Sequence, residues 1–483
     1  MNTTGLDRKQ RRVAVIGAGW AGCAAAVEAT RLGHHVTLFE AARTAGGRAR
    51  RVTSPTNSAH RPESPAGTLD NGQHILIGAY ADTLKLMTDL GVDLDATLLR
   101  LPLTLQYMTD QGLRGLKLPQ LPAPLDALVG IAQAAGWSWR DKSSLLRGAA
   151  RWQWAGFVCP PLQSVADLCR SMTPRIMAEL IEPLCVSALN TPAADASGQV
   201  FLRVLKDSMF SGRGGSNLLL PRVDLTALLP EAAIAWLEKA GAAVALGTRV
   251  QHLASNSAAG GWQLTAAGAT LPFDCVVLAC APQAAVRLLT DSTPPDGPAP
   301  PWQAWLATAR ALQFEAITTV YAQAPGIRLP QPMLALPSGA HAPAQFVFDR
   351  GQFGGPPGLL AFVVSASTGS SADITAQVLA QGACQLRLDD LKPVQTVVEK
   401  RATFACTPGL ARPGRHVLPG LMACGDYVQG PYPATLEGAV RSGLAAARAI
   451  YRVRKVRASE NLHALFLIAC QALKTWTSSL FSH

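Results

Sequence analysis

The chain has 483 residues, which is enough for two or three domains with hydrophobic cores of their own. Hydrophobic residues make up 48 % of it and charged residues 16 %, which excludes an intrinsically disordered protein. The net charge of +11 favours an anionic partner such as acidic lipid, but the cations are mostly scattered arginines, so we expect no nucleic-acid partner.

The ten cysteines include no CxxC pair, and we expect small buried side chains in a reducing compartment. The first twelve residues are polar and lack the apolar core of a secretory signal. The sequence shows neither metal-ligand spacing nor a Ser/His/Asp arrangement. These features predict a cytoplasmic protein without a metal site.

Residues 12–40 predict a strand–helix–strand unit. Its parts are an apolar strand, a glycine-rich turn, an alanine-rich helix and a second strand, at 13–16, 17–22, 21–32 and 35–39. The turn has the spacing G-x-G-x-x-G, with Gly17, Gly19 and Gly22. Such a turn lets a pyrophosphate approach the backbone, and the helix N-terminus offers free N–H groups to the phosphates. The unit therefore predicts a dinucleotide site.

The residues after the second strand indicate which nucleotide binds. Glu40 ends that strand and is predicted to accept hydrogen bonds from the adenosine ribose. Gly46, Gly47 and Arg48 follow in an E-x(5)-G-G-R arrangement, which resembles the flavoprotein superfamily of amine oxidases and phytoene desaturases. The resemblance implies that Arg48 lies against the pyrophosphate of FAD, which suits its charge. The alternative is an ordinary basic loop.

The order of predicted elements indicates an α/β protein with one nucleotide-binding domain and an inserted substrate domain. We expect the FAD-binding domain to be Rossmann-like and doubly wound, and the substrate domain to be α+β with an antiparallel sheet. An exposed loop is expected at 54–68. The predicted segments are FAD-binding at 11–100, 240–290 and 415–450, mainly helical substrate domain at 101–239, sheet-containing substrate domain at 291–414, and a basic amphipathic tail at 451–483.

Four further stretches are more specific than the superfamily. They read L-D-N-G-Q-H-I-L-I-G-A-Y, A-L-N-T-P, S-N-L-L-L-P-R and P-A-T-L-E-G-A-V-R-S-G, at 69–80, 188–192, 216–222 and 433–443. Together they resemble the squalene-associated FAD-dependent desaturases, also called hydroxysqualene dehydroxylases, of bacterial hopanoid biosynthesis. The resemblance covers roughly 11–450. It implies an enzyme that uses reduced FAD to convert hydroxysqualene to squalene, coupled functionally to squalene-synthase-like enzymes.

The resemblance also implies which residues contact FAD. Asp426 is implied to bind its ribityl or phosphate end, the backbone of Val250 to touch the adenine, and the helix that begins near Thr435 to face the flavin. The predicted cofactor-binding set is Gly17, Ala18, Gly19, Ala21, Gly22, Glu40, Ala41, Gly46, Gly47, Arg48, Gly72, Gln73, His74, Val250, Gly425, Asp426, Thr435 and Leu436.

The implied reaction needs a dry apolar tunnel and a proton donor for the leaving hydroxyl. His74 is the first candidate for a catalytic acid, because histidine can be cationic near neutral pH. Asp207 and Glu437 are weaker candidates. Alternatively, Asp70, Gln73 and His74 only pack on the flavin and hydrogen-bond the backbone, because flavoenzymes often use no side-chain acid.

Four tryptophans, Trp137, Trp139, Trp152 and Trp154, are expected to lie in the core or to line the tunnel. Two other functions stay open. One is a related oxidase or desaturase acting on a carotenoid, a porphyrinogen or an amine. The other is a non-catalytic prenyl-binding module, as in GDP-dissociation inhibitors.

The tail at 451–483 joins a basic stretch to an apolar stripe at helical spacing. Four cations lie within 451–457, and the stripe is interrupted by Gln471 and Lys474, which argues against a transmembrane span. We predict an amphipathic helix in the membrane interface, with the protein held peripherally on the inner face of the membrane. Packing of the stripe on the enzyme's own core is the alternative.

Overall fold

The computed structural model describes residues 10–52, 68–122, 124–210, 212, 214–255, 260–292 and 300–450. The predicted loop at 54–68, apart from its last residue, and the predicted tail at 451–483 lie outside the described residues. None of the helices in the described part of the chain is long and apolar enough to cross a bilayer.

Twenty-one strands are described, and most are short. They are β1 (Arg12–Ile16), β2 (His35–Phe39), β3 (Arg51–Val52), β4 (Leu69–Asp70), β5 (Leu76–Ile77), β6 (Leu98–Leu101), β7 (Thr104–Thr109), β8 (Gly112–Lys117), β9 (Leu218–Pro221), β10 (Ala243–Ala245), β11 (Val250–Ser255), β12 (Trp262–Ala266), β13 (Ala269–Phe273), β14 (Cys275–Leu278), β15 (Phe314–Gln323), β16 (Met333–Ala335), β17 (Phe346–Asp349), β18 (Leu359–Ser365), β19 (Lys392–Phe404), β20 (His416–Leu418) and β21 (Leu421–Ala423).

The helices fall into two groups, one between β5 and β10 and one flanking the later strands, with α1 alone after β1. They are α1 (Trp20–Arg31), α2 (Ala81–Asp89), α3 (Leu94–Thr97), α4 (Leu125–Gln133), α5 (Trp139–Trp154), α6 (Val165–Cys169), α7 (Pro174–Ile176), α8 (Glu182–Leu189), α9 (Gly198–Phe210), α10 (Leu225–Leu228), α11 (Pro230–Lys239), α12 (Pro282–Thr290), α13 (Pro300–Ala311), α14 (Ser371–Leu386) and α15 (436–450). A π-helical turn (Met177–Ile181) joins α7 to α8.

A six-stranded sheet in the order β10-β2-β1-β14-β21-β20 forms the first layer. Its strands are parallel except for β20, which pairs antiparallel with β21. Along β1, Val13 and Val15 face one hydrophobic cluster, whereas Ala14 and Ile16 face another. Because both faces are covered, the strand is apolar throughout, as a central parallel strand requires.

A seven-stranded sheet in the order β19-β15-β18-β17-β16-β7-β8 forms the second layer. Its pairs are antiparallel except for a single parallel contact between β16 and β7. Five of its strands, β15 to β19, come from the segment 291–414 in which an antiparallel sheet was predicted.

The hairpin β7–β8 was not predicted, because the segment 101–239 was expected to be mainly helical. It contributes two strands to the antiparallel sheet. The reason is local: a two-residue turn at 110–111 joins the strands, and Gly112, the first residue of β8, has φ +102°. The remaining described strands form three smaller sheets, β5-β9-β6, β3-β4 and β11-β12-β13. The domain boundaries at 101, 240, 291 and 415 stay a prediction.

Candidate active site

One cavity of about 1360 Å³ runs from the glycine-rich turn after β1 into the region between α5, α9 and the seven-stranded sheet. This volume exceeds that of a pocket for a single drug-sized ligand, which spans roughly 300–1,000 Å³. The nucleotide end is lined by Gly17, Gly19, Glu40 and Arg48. The other end is lined almost entirely by apolar side chains. The cavity therefore has room for a cofactor and a substrate placed end to end.

Close backbone contacts explain the spacing of the glycine turn. Gly17 has φ +112°, and a Cβ there would lie 2.8 Å from the carbonyl oxygen of Ala279 on the next strand. A Cβ on Gly22 would overlap the carbonyl of Gly17. Gly19 differs, because a Cβ there would meet only the Cα of Gly47 at 3.8 Å. Gly17 and Gly22 are thus needed by the fold, whereas Gly19 keeps an open face toward the cavity.

Glu40 fixes the backbone of the glycine-rich turn by hydrogen bonds. Its carboxylate accepts hydrogen bonds from the N–H groups of Ala18 and Ala42, each at 2.8 Å. A carboxylate has about four acceptor positions, so two stay available for ribose hydroxyls. The ribose contact of Glu40 stays a prediction.

Two predicted cofactor residues do not reach the cavity. Ala18 is fully buried, its N–H is bonded to Glu40, and its carbonyl accepts the N–H of Gly46 at 2.9 Å. Gly22 packs against Gly17 behind the turn. The other sixteen predicted residues all line the cavity. Both backbone groups of Ala18 have partners within the protein, which argues against direct binding, and its assignment to the cofactor stays a prediction.

Arg48 and Asp426 form an ion pair that the sequence did not predict. The guanidinium donates to the Asp426 carboxylate and, at 2.7 Å, to the carbonyl of Ala402. Burial tends to lower the pKa of Arg48, but Asp426 more than offsets this and raises it. An anionic pyrophosphate here would lie beside a carboxylate whose charge is balanced by Arg48. The N–H groups of Arg48 that are still free could donate to the pyrophosphate.

Tyr427 lies beside this pair and was also missed. Its side chain is 2 % exposed and lines the cavity, and its hydroxyl has no hydrogen-bond partner among the described residues. A buried hydroxyl without a partner is costly, and a polar ligand in the cavity would remove that cost. Its place directly after Gly425-Asp426 was the available sequence signal.

The loop Gly72–Gln73–His74 lies between β4 and β5 and lines the same cavity. Nδ1 of His74 is 2.9 Å from the carbonyl oxygen of Gly72, so this nitrogen carries the proton. Burial lowers the pKa of His74, and Arg48 adds to the effect. The ring is therefore neutral at pH 7 with a bare Nε2, which argues against the cationic acid that was predicted.

Gln73 in the same loop is fixed by a buried arginine. The guanidinium of Arg350 donates to Oε1 of Gln73 at 3.1 Å and lies over the ring of Phe353. Asp70, which precedes the loop, is 4 % exposed and does not line the cavity. Its carboxylate accepts the N–H of Leu225 at 2.9 Å, and burial raises its pKa to about 7.

The N-terminus of α15 also opens into the cavity through Thr435 and Leu436. The hydroxyl of Thr435 accepts the N–H of Gly438 at 3.0 Å, as an N-cap residue does. Glu437 is buried and accepts from the N–H and hydroxyl of Thr83 and from Arg441. Through the N–H groups of Asp82 and Thr83, Glu437 caps the N-terminus of α2, which is a structural role for this weaker candidate acid.

Apolar side chains form the walls of the far end, which we call the chamber. They come from β7, β8, α4, α5, α8, α9 and the large sheet, and include Leu105, Leu116, Ile131, Leu145, Trp152, Phe157, Leu184, Phe201, Val204, Leu205, Phe346 and Phe348. Trp152 packs edge-on against Phe201, and Phe157 against Phe210. A chamber of this kind excludes water and suits a long hydrocarbon.

Of the four tryptophans expected in the core or tunnel, only two are buried. Trp152 lines the chamber, and Trp137 donates to the carboxylate of Glu179 at 2.8 Å. Trp139 and Trp154 are instead 80 % and 94 % exposed. For these two the expectation was wrong, because they lie at the two ends of the outer face of α5.

One polar cluster faces the chamber near the start of α15. The hydroxyl of Tyr432 donates to Asp207 at 2.5 Å and accepts from Arg441 at 2.6 Å and Arg203 at 3.2 Å. Tyr432 and Asp207 line the cavity. Burial, together with the hydrogen bond to Asp207, raises the pKa of Tyr432, so its hydroxyl keeps its proton. Of this cluster the sequence indicated only Asp207.

The flavin containing amine oxidoreductase family matches residues 20–451. The chain belongs to this family. It is an FAD-dependent oxidoreductase, which confirms the predicted cofactor and enzyme class, and the cradle around Gly19, Arg48 and Tyr427 fits that cofactor.

Relatives in sequence sharpen the comparison. A hydroxysqualene dehydroxylase of Sinorhizobium fredii is 26 % identical over 468 residues, covering 90 % of this chain and 97 % of the relative. Another, from Rhodopseudomonas palustris, is 27 % identical over 463 residues with the same coverage. The resemblance inferred from the sequence motifs is thereby confirmed.

Solved structures share the fold. An oxidoreductase from Methanosarcina mazei superposes with a TM-score of 0.67 at 15 % identity, covering 90 % of this chain and all of that one. A redesigned putrescine oxidase gives 0.66 at 17 % identity, covering 92 % and 99 %. They confirm the predicted fold class, a Rossmann-like FAD domain with an inserted domain that contains an antiparallel sheet.

Proposed function

We propose that this chain removes the hydroxyl group of hydroxysqualene to give squalene. The observation that carries the proposal is the single cavity that joins the nucleotide cradle to the apolar chamber. The names of the relatives give the substrate, and the chamber suits a long isoprenoid better than a small charged amine. Reduced FAD supplies the hydride that replaces the hydroxyl, which leaves as water after gaining one proton.

The chamber walls protect the reaction from water. Loss of an allylic hydroxyl leaves a delocalised carbocation, which water would capture. Side chains such as Leu105, Phe201 and Phe346 offer it neither a nucleophile nor a base. The bound substrate therefore has reactive groups near it only at the cofactor end of the cavity.

Tyr432 is our choice for the proton donor, with Asp207 as its orienting partner. The hydroxyl is protonated, faces the chamber and lies three residues before Thr435, which caps the helix that opens toward the cofactor. To give up its proton, the Tyr432 hydroxyl turns from the Asp207 carboxylate to the leaving hydroxyl. The O–H bond breaks, water leaves with that proton, and the guanidinium groups of Arg203 and Arg441 offset the charge that develops on the phenolic oxygen.

The partners and location follow from the same chemistry. Hydroxysqualene and squalene are insoluble in water, so the enzyme would work at a membrane surface, held peripherally on its inner face. The tail at 451–483 carries the sequence features of such an anchor. An enzyme of the squalene-synthase type would supply the substrate.

Anaerobic mixing of the photoreduced holoprotein with hydroxysqualene tests the proposal. We expect the flavin to reoxidise at the rate at which squalene appears, with one squalene formed per reduced flavin. Phytoene, a protoporphyrinogen and putrescine serve as comparison substrates for the competing oxidase and desaturase functions. The proposal would be overturned if the enzyme with oxidised flavin oxidised one of these comparison substrates and formed no squalene from hydroxysqualene. A protein that purifies without flavin would support the prenyl-binding alternative.

A further inference from the structure

Exposed hydrophobic side chains concentrate on one part of the surface. Nine of the thirteen large hydrophobic side chains exposed within the described residues fall between 121 and 210. Seven of them lie on α4, α5, α9 and the turn before α4, and we call them the mouth patch: Leu121, Leu125, Leu128, Trp139, Leu146, Trp154 and Phe210. The amine of Lys142 on α5 donates to the carbonyl of Ala132 on α4 at 2.6 Å, which holds the two helices side by side.

Three residues of the mouth patch lie where the chamber opens to the surface. Leu128, Leu146 and Phe210 are exposed to solvent and also line the cavity. Phe210 stacks edge-on against Phe157, which lies deeper in the chamber wall, with ring centroids 5.4 Å apart. The apolar surface therefore continues from the outside of the protein into the chamber without a polar barrier at these residues.

The outer face of α5 carries two parallel stripes of different chemistry. Trp139 and Leu146 lie on one line along the helix, and a second line about 100° around it carries Arg140, Arg147 and Arg151. Trp154 lies between the two lines at the C-terminal end of the helix. All three arginines are exposed, and no carboxylate within the described residues forms an ion pair with them. The acid of α5, Asp141, is buried, where it completes a capping box with Ser138.

These stripes match the surface of an anionic bilayer. Tryptophan rings favour the depth of the lipid headgroups, and arginines beside them reach lipid phosphates while their stems stay in apolar surroundings. A second copy of the chain is a poorer partner, because a two-fold interface would bring the arginine stripes together. The chain's own tail is also a poor match, since Glu460 is its one acidic residue.

We propose that the mouth patch docks on anionic lipid, so that the chamber opens into the hydrocarbon layer and takes up its substrate there. The docking surface is inferred from the geometry of α4, α5 and the chamber. The identity of the molecule that passes through it rests on the proposed function.

Sedimentation of the full-length holoprotein with vesicles tests the docking. The vesicles are phosphatidylcholine alone, or phosphatidylcholine with phosphatidylglycerol at a 7:3 ratio. Replacing Arg140, Arg147 and Arg151 by glutamine should weaken binding to the anionic vesicles about 100-fold. The pair Trp139→Ser and Trp154→Ser should weaken it about tenfold or more, on both kinds of vesicle. None of these five side chains lines the cavity.

Matched controls remove the same charge and the same apolar character elsewhere. Lys239, Arg328 and Lys400 are exposed cations away from α5, and their replacement by glutamine should leave vesicle binding within about threefold. Leu271→Ser with Ile327→Ser, two exposed hydrophobics far from the patch in sequence, should do the same. Flavin content and melting temperature verify that each variant is folded.

Three results would overturn the docking proposal. One is a wild-type protein that does not bind anionic vesicles. Another is wild-type affinity in the α5 variants, which would assign binding to another segment such as the tail. The third is a wild-type oligomer that the tryptophan variant dissociates, which would make the patch an interface between copies.

A second readout separates this proposal from the proposed function. With hydroxysqualene in detergent micelles the α5 variants should turn over at the wild-type rate, whereas with vesicle-embedded substrate they should be at least about tenfold slower. Equal rates in both formats would contradict docking while leaving the reaction intact. No turnover in either format, with vesicle binding as expected, would reject the substrate and retain the docking surface.

Discussion

The cofactor end of the cavity and the chamber differ in which substitutions they tolerate. At the cofactor end, backbone atoms of β1, the following turn and β14 are so close that a single methyl group on Gly17 or Gly22 would collide with a carbonyl group. In the chamber, many apolar side chains from distant segments each form a small part of the wall. The first region depends on backbone geometry and the second on total volume and dryness, so mutations should separate them cleanly.

The largest effect is expected for Gly19→Val. A side chain there meets only Gly47 within the protein, so the fold should persist, but it would occupy the face on which the pyrophosphate approaches. If the displaced pyrophosphate loses two charge-assisted hydrogen bonds from backbone N–H groups of the turn, FAD binding should weaken about 10²- to 10⁴-fold. Fluorescence titration of the deflavinated protein with FAD measures the affinity.

Two glycine variants calibrate this experiment. Gly22→Ala should lower the melting temperature as well as flavin binding, because its Cβ would overlap the carbonyl of Gly17. Gly339→Ala, at an exposed glycine with open space around it, should change neither. A Gly19→Val protein that purifies with one FAD per chain would contradict the assignment of the turn.

On the chamber side, the largest effect is expected for Tyr432→Phe. If Tyr432 gives its proton to the leaving hydroxyl, turnover should fall by about 100-fold with little change in KM or flavin content. Asp207→Asn should give a smaller loss and a shifted pH profile, since Asp207 only positions the phenol. A Tyr432→Phe rate within threefold of wild type would remove Tyr432 from the chemistry.

Chamber volume is tested by Val204→Trp. Val204 lines the chamber from α9 and is partly exposed to it, so the larger ring can enter the cavity without displacing the core. We expect kcat/KM for hydroxysqualene to fall roughly 10- to 200-fold, with FAD affinity unchanged. Val204→Leu is the matched control and should stay close to wild type. If Val204→Trp weakened FAD binding as much as it lowered kcat/KM, the two regions could not be separated by mutation.

The same contrast explains what could be predicted from the sequence. The cofactor end was accessible because a backbone constraint fixes residue type and spacing, as at Gly17, Gly22 and Glu40. The chamber was not, because Leu105, Ile131 and Phe201 are residue types that any hydrophobic core contains, and only the tertiary fold decides which face the cavity.

Long-range polar pairs were equally out of reach. Arg48 and Asp426 were each assigned to the cofactor, but their separation of 378 residues hid the ion pair between them. The partial exception is the cluster of Tyr432 and Arg441, because Tyr432 directly precedes the recognised motif at 433–443 and Arg441 lies within it. Exposed Trp139 and Trp154 show the opposite error, since residue type alone suggested burial.

A small effect is expected for His74→Gln. The ring is neutral and donates to the carbonyl of Gly72, and a glutamine amide can donate in its place. Turnover should stay within about threefold of wild type, compared with a loss of about 100-fold for a residue that acts as the acid. A pre-steady-state rate of flavin reoxidation under saturating substrate is the appropriate measurement. A 100-fold loss with full flavin content would restore His74 as the donor.

The smallest effect on turnover and flavin binding is expected at Asp70, at the boundary between the two regions, where the measurable change is in stability. Its carbonyl accepts the hydroxyl of Tyr321 from the large sheet, and its carboxylate accepts the N–H of Leu225. Burial raises the pKa of Asp70 from 3.8 to about 7, so the folded protein holds a proton that the unfolded chain releases. Between these two values the unfolded state binds fewer protons, and this group therefore lowers the stability as the pH rises.

Asp70→Asn keeps an acceptor for Leu225 but cannot ionise. Relative to wild type, the variant should gain stability between pH 4.5 and pH 8, by an amount on the order of a few kcal/mol, because each unit of pKa shift is worth about 1.4 kcal/mol. Denaturant unfolding at several pH values measures the difference between the two proteins, which cancels the titration of all other groups. The change of that stability difference with pH is the informative quantity, because an unpaired amide N–H could lower the variant's stability by a constant amount. A difference that is flat across this range would show that Asp70 ionises in the folded protein as it does in the unfolded chain.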